Sequence, residues 1–444
     1  MLTVTPVFEF DKVDYNKESK IHFDMILSTP KETEIKRVPL NIVLAIDCSG
    51  SMDSENKLDS VKNTCSKLVK HLTEIDSLSA IAFSNNVWVV FKPLAMTQEN
   101  KKYASQLISN LRTQSSTNIS NAIDVALEQA IINKSKICRI ILLTDGLPTS
   151  GECKPDRLIE QVSKINSSIS LSTFGYGTDF NAELMSSISS VGRGSNFYIQ
   201  NNDDCDKAFA FELGGLLSLY AQNIKITITP TNCSSLSLLS DYKHVQKIGF
   251  KLITPTTIEI LVDDIFYDEQ KHLLFSLSLP QHSSPALQEF CTYSISYSLV
   301  DKNEEQISSS FSIQYGEPDS IAKEPNQEIK KQLAFIEAAR IQKEAHNNAE
   351  SGNLDVAKQI LENGMIKIRD LAGPQEDIEN MFTHLKTLYE NSQSYSSGGS
   401  QMSNAMANTI RTGRVSSNKS FGAFYSRSQD VLYRSFISDD EDKK

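Results

Sequence analysis

Apolar and polar positions change rhythm four times along the chain. From Val38 to Asp47, VPLNIVLAID is a near-continuous apolar run, as expected for a strand in a parallel sheet covered on both faces. Leu58, Val61, Cys65, Leu68, Val69 and Leu72 then mark one face of a helix. Strands SAIAFS and VWVVF follow, then a helix near 98–111 and another with Ile119, Ala122, Ile123, Ala126, Leu127 and Ala130 on one stripe. Strand ICRIILLT, a helix near 155–166, strand SLSTFGYG, a helix at 181–190, strand NFYI and a helix near 206–220 complete the run. Strands alternating with helices over 39–221 predict a doubly wound, Rossmann-like α/β domain with a parallel sheet.

The flanks read differently. Over 1–38, TVTPVFEF and KIHFDMILST read as strands split by the polar turn DYNKES. In the second, Phe23, Met25 and Leu27 alternate with His22, Asp24 and Ile26, the pattern of a half-buried antiparallel strand. Over 222–316 the helical period disappears, and NIKITITP, TIEILVD, KHLLFSLSLP, CTYSISYSLV and SSFSIQY predict a β-sandwich. A two-stranded hairpin is marginal alone, so the N-terminal strands should complete that sandwich, with the α/β domain inserted between its pieces. Over 326–391, Leu333, Ile336, Ala339, Ile341, Ala345 and Ala349 begin a helical hairpin that turns at Ser351–Asn353. Gly373-Pro374 ends its second helix, and a third should run to about Tyr389. The tail, 392–444, is rich in Ser, Gly and Asn and is expected to be disordered; its Ser438 precedes an acidic run and suits an acid-directed kinase.

Charge and cysteine usage narrow the function classes. The net charge of −11 disfavours nucleic acid as a partner. No apolar run is long enough for a membrane span, and MLTVTPVFEFDKVDY lacks the features of a secretory signal. Seven Cys, scattered and never in C-x-x-C spacing, argue against a disulfide framework or a zinc knuckle. The expectation is a soluble, cytoplasmic protein. The His residues show no paired spacing, and no G-x-S-x-G or phosphate-binding GKS/GKT loop occurs. Gly175-Tyr176-Gly177 lacks the third glycine of a dinucleotide fingerprint and reads as a turn.

The informative segment is Asp47-Cys48-Ser49-Gly50-Ser51, where the first parallel strand meets its helix. In extended chain, alternate residues share a side, so Asp47, Ser49 and Ser51 present one carboxylate and two hydroxyls together. Cys48 points away and reads as a buried structural thiol. Ligands bind open α/β sheets at the carboxyl ends of their strands. The polar turn Ser115–Asn118 can supply a further hydroxyl, and Leu143-Thr144-Asp145-Gly146 ends its strand with a second carboxylate. The pooled set is Asp47, Ser49, Ser51, Thr117 and Asp145. All are oxygen donors, suited to a hard divalent ion such as Mg²⁺, with Mn²⁺ or Ca²⁺ as substitutes. With few acids around it, such an ion stays electrophilic and wants an anionic oxygen. Alone, the DxSxS segment could also be a polar strand-to-helix cap.

These residues resemble the von Willebrand factor A (VWA) domain and its metal-ion-dependent adhesion site (MIDAS), with DxSxS at Asp47–Ser51, the family threonine at Thr117 and the LTDG aspartate at Asp145. STFGYGTDFNAELMSSIS, NFYIQ and DKAFAFELGGLLSLYAQNIKITI further resemble a eukaryotic subgroup in which the VWA domain leads into a β domain. Some plant members are RING-type ubiquitin ligases, but this chain has no Cys/His array for a RING. The resemblance implies a non-enzymatic, metal-dependent protein-binding scaffold whose ion captures an acidic side chain of a protein partner. Two competing readings are a component or receptor of a ubiquitin ligase system and a Mg²⁺-dependent hydrolase. The latter needs a nucleophile or general base that the motif does not supply.

Overall fold

The computed structural model describes residues 1–386 apart from 32–37, 134–136, 167, 178–180, 200–201, 241–242, 248–256, 263, 301–303, 377, 381 and 384–385. The tail and Ser438 therefore lie outside the described residues, as does part of the expected third C-terminal helix. Two compact units divide the chain: Thr33–Leu219 forms one, and Met1–Glu32 with the chain from Tyr220 through the C-terminal helices forms the other.

Strands β1 (Thr3–Phe8), β2 (Lys12–Asp14) and β3 (Ser19–Ser28) come first. The α/β unit follows with β4 (Leu40–Asp47), α1 (Lys57–His71), β5 (Ser77–Phe83), β6 (Val87–Ala95), α2 (Gln98–Ser109) and α3 (Ile119–Ile132). It continues with β7 (Ile137–Thr144), α4 (Pro155–Ser163), β8 (Ile169–Tyr176), α5 (Ala182–Val191), β9 (Arg193–Ile199) and α6 (Asn202–Leu217). Sheet order is β6-β5-β4-β7-β8-β9, and β4 pairs in parallel with both β5 and β7. Every residue of β4, β5, β7 and β8 is buried, which accounts for their continuous apolar runs. One face of the sheet packs on α3, α4 and α5 through Val43, Ile81, Ile123, Leu142, Leu158 and Ile188. Elsewhere α1 lies against α2 and α6, where Thr64 and Lys67 both donate to Asp206, at 2.6 and 2.7 Å. The sheet departs from the all-parallel expectation at one edge. β6 runs antiparallel to β5, because the short Ser84–Asn86 connection permits a hairpin but not a crossover.

Beyond Leu219 the chain is β-rich: β10 (Leu219–Pro230), β11 (Ser235–Leu238), β12 (Lys243–Lys247), β13 (Thr257–Val262), β14 (Ile265–Phe266), β15 (Gln270–Leu279), β16 (Leu287–Leu299) and β17 (Glu304–Gly316). One sheet has the order β1-β3-β15-β11 and the other β12-β13-β10-β16-β17-β2, with β14 on β10. The N-terminal strands thus enter both sheets. Phe23 stacks on Phe275 at 5.0 Å within the first sheet and meets Phe290 of the second edge-on at 5.3 Å. Aromatic pairs in these arrangements add to simple burial in closing a sandwich.

Strand β3 is more buried than its alternation predicts. Asp24, on the face opposite Phe23, is fully buried and lies 2.6 Å from His272 Nδ1, and Ile26 is buried too. The cause is α7 (Gln327–Glu350), which packs against β1, β3 and β15. The helical stripe also needs correction. Leu333, Ile336 and Ala339 are only half-buried, whereas Ala334, Phe335, Ala338, Ile341, Ala345 and Ala349 form the core line. The alanines admit α8 (Leu354–Ala372) closely, so small residues, which carry little hydropathy, mark the seam. The turn between the helices uses Gly352 at φ +83°. At Gly364 of α8, a Cβ would stand 2.6 Å from Ile341 Cγ2 and 3.1 Å from the Phe382 ring. Gly364→Leu should therefore destabilise this unit by about 1–3 kcal/mol in urea unfolding, despite the better helix propensity of leucine. An unchanged midpoint would refute the tight seam.

Candidate functional site

The connections from β4 run outward to β5 on one side, and those from β7 run outward to β8 on the other. The gap between the carboxyl ends of β4 and β7 is therefore the point where the winding reverses, the usual ligand crevice of such sheets. Asp47 is the last residue of β4, and Asp145 follows the last residue of β7. Strand pairing alone brings the two carboxylates to one edge.

Both are fully buried, so each needs partners. Asp47 Oδ1 accepts the Ser49 backbone N–H at 2.7 Å, and Oδ2 accepts the Thr144 hydroxyl at 2.6 Å. Burial pushes the Asp47 carboxyl up to about 6; the Thr144 and Ser49 bonds oppose that rise, and the Asp145 charge adds to it. Asp145 Oδ1 accepts the Ser51 hydroxyl at 2.7 Å. Ser51 Oγ is also 3.1 Å from Ser49 Oγ, and since its own proton is committed to Asp145, Ser49 is the donor there. Cys48 lies between, fully buried, its thiol pushed up to about 12 by burial, so it is an inert part of the core.

Thr117 reaches the same place from the turn before α3. Its backbone N–H donates to Thr149 Oγ1 at 2.9 Å, its carbonyl accepts from Thr149 and Ser150, and Asn118 N–H donates to the Ser84 carbonyl. The Thr117 hydroxyl makes no hydrogen bond with the described residues. A Cβ on Gly146 would lie 3.5 Å from Thr117 Oγ1 and 3.7 Å from Ser51 Oγ, so both oxygens border the space that glycine leaves open. The DxSxS loop is tied to this turn: Gln114 N–H donates to the Cys48 carbonyl at 2.6 Å, and a Cβ on Gly50 would sit 3.1 Å from the Gln114 carbonyl oxygen. Hydrogen bonds thus link Ser49, Ser51 and Asp145, Thr117 Oγ1 borders the same space, and Asp47 stands at the adjacent strand end.

The structure adds one residue that sequence reasoning missed. Lys57, the first residue of α1, is 3% exposed, and its Nζ lies 2.8 Å from Asp145 Oδ2. The available signal was weak: a lysine just past the DxSxS loop, at a helix start where a cation opposes the helix dipole.

Residues 41–210 match the family model of the von Willebrand factor type A domain. This segment is a VWA domain. Relatives of similar sequence include a bacterial and a mammalian protein. The uncharacterized protein YfbK of Escherichia coli (strain K12) is 28% identical over 226 residues, 50% of this chain and 39% of that protein. Inter alpha-trypsin inhibitor, heavy chain 4, of Mus musculus is 38% identical over 151 residues, 32% of this chain and 16% of that protein. The chain therefore spans well under two thirds of either relative. A solved von Willebrand factor type A structure from Catenulispora acidiphila superposes with TM-score 0.66 at 14% identity, covering 86% of this chain and 90% of that one. That likeness concerns the fold and extends beyond the VWA domain. VWA domains mediate protein–protein interaction, are generally non-enzymatic, and typically bind a divalent metal at the MIDAS.

The donor set here suits such a metal. Two carboxylates and three hydroxyls are hard oxygen donors, and among the described residues no three His, Cys, Asp or Glu side chains group as metal ligands. No helix among the described residues is long and apolar enough to cross a membrane.

The Asp47–Thr144 bond can be tested without metal. The Asp47 carboxyl titrates higher in the folded chain, near 6, than its ordinary value of 3.8, so folding favours its protonated form and stability falls as pH rises from about 4 past 6. Thr144→Val removes the donor that stabilises the charged form and should widen that fall. In EDTA the variant should lose about 1.5–3 kcal/mol at pH 8 and distinctly less at pH 5, by urea unfolding at each pH. Equal losses at both would contradict the assignment.

Proposed function

We propose that this chain is a non-enzymatic, metal-dependent protein-binding scaffold. In this reading Asp47, Ser49, Ser51, Thr117 and Asp145 hold Mg²⁺ and a protein partner supplies an Asp or Glu carboxylate to it. The observation that carries the proposal is the linked oxygen cluster at the β4/β7 gap, in which Ser51 Oγ stands within hydrogen-bond distance of both Ser49 Oγ and Asp145 Oδ1. A bound ion would supply Lewis acidity toward an anionic oxygen. Both Asp47 oxygens are already engaged, one by the Ser49 N–H of the loop and the other by the Thr144 hydroxyl of β7, which favours an Asp47 role through water. Thr117, with a hydroxyl beside Gly146, supplies a neutral donor. We assign the protein to a reducing compartment, the cytoplasm, because all seven cysteines are free thiols.

Thr117→Val is the cleaner test variant, since Asp145 also neutralises buried Lys57 and its removal would strand an ammonium. The wild-type chain should bind Mn²⁺ in calorimetry, and Thr117→Val should bind it at least about tenfold more weakly with unchanged thermal stability, given that even outer partners of metal sites cost about 10–100-fold. Partner capture from extract should require Mg²⁺ and fail in EDTA and in the variant. Equal capture with and without chelator would sink the reading.

A further inference from the structure

We propose that Lys57 is a resident cation that competes with the divalent ion for Asp145 and so sets how tightly the site holds metal. The inference rests on the metal-site reading above and goes beyond it, because Lys57 belongs to no part of the donor set.

Three observations carry it. Lys57 Nζ is 2.8 Å from Asp145 Oδ2 with both side chains almost wholly buried, 4% and 0% exposed, so the attraction is little screened by water. Lys57 is also the first residue of α1, where the positive end of the helix dipole disfavours a lysine. Helix formation therefore does not explain its burial; the carboxylate does. Finally, the backbone is shaped around the ammonium. Gly177, past the end of β8 at φ +77°, would with a Cβ come within 3.0 Å of Lys57 Nζ and 3.1 Å of Cε. Just before α1, Glu55 and Asn56 take left-handed backbone, φ 54° and 55°, at the turn that starts the helix at Lys57.

The charges then decide the direction of the effect. Asp47, Asp145 and Lys57 together carry a net of −1, where the two acids alone would carry −2. A divalent ion entering beside Asp145 meets a carboxylate already half neutralised and a neighbouring positive charge. A purely positioning role makes the opposite forecast, because a donor that orients a liganding carboxylate strengthens metal binding.

Lys57→Gln keeps an N–H donor without the charge, and Lys57→Met keeps only the length. Mn²⁺ titrated into the full chain by calorimetry should bind both variants at least tenfold more tightly than wild type. Unchanged or weaker binding, with wild type still binding Mn²⁺, overturns the competitor role and leaves the proposed function standing. No Mn²⁺ binding by any of the proteins overturns both. Should either variant fold poorly, the rise in melting temperature on adding Mn²⁺ is the second readout. A larger rise than in wild type supports the proposal; an equal or smaller one refutes it.

Discussion

Two carboxylates buried side by side at the ends of adjacent parallel strands constrain everything around them. Neither can stay ionised in the interior without hydrogen bonds or a countercharge, and the chain meets that demand with parts drawn from distant segments. Thr144 precedes Asp145 in sequence yet donates to Asp47, and Ser51 follows Asp47 in sequence yet donates to Asp145. The partners are crossed. Each loop therefore depends on the other, and the β4/β7 pairing is locked by polar chemistry as well as by its ladder. Crossed bonds of this kind act as one network, so loss of one member is felt by the rest.

The strand–helix alternation was legible because fully covered parallel strands advertise themselves as apolar runs. Elements whose environment is set from a distance were less so. VWVVF looks like another central strand, and only the short Ser84–Asn86 connection marks it as an antiparallel edge. Asp24 looks solvent-facing in an alternating strand but is buried by α7, a helix some 300 positions later in the chain. In α7 itself, hydropathy points to Leu333 and Ile336, while the seam with α8 runs along alanines and Gly364. Close backbone approach selects for small side chains, and a scale of apolarity cannot register that.

The same distinction separates the readable part of the site from the rest. Asp47, Ser49 and Ser51 lie within one short loop, so their convergence follows from local chain geometry. Thr117 and Asp145 could be joined to them because both end at places where an α/β sheet collects its ligands. Lys57 gave no such sign. A lysine is ordinarily a solvated residue, and its burial follows from Asp145, 88 positions away.

The two acids also differ in what holds them. Asp47 is fixed from both sides by short-reach groups, the backbone N–H of Ser49 two residues on and a β-branched hydroxyl on a buried strand. Asp145 has one oxygen on the Ser51 hydroxyl and the other on the end of a four-carbon stem. Lysine is a compact charge on flexible methylenes, and its head group can shift while its backbone stays helical. The Asp47 half of the cluster is thus rigid framework, and adjustment to any incoming ligand must come from the Asp145 half. Gly146 stands against that half and leaves open the volume of a Cβ beside the Thr117 and Ser51 hydroxyls, while Gly177 lets the Lys57 ammonium pack closely against its backbone. Rigidity on one carboxylate and room around the other is the arrangement a site needs if it is to keep its shape while changing its charge.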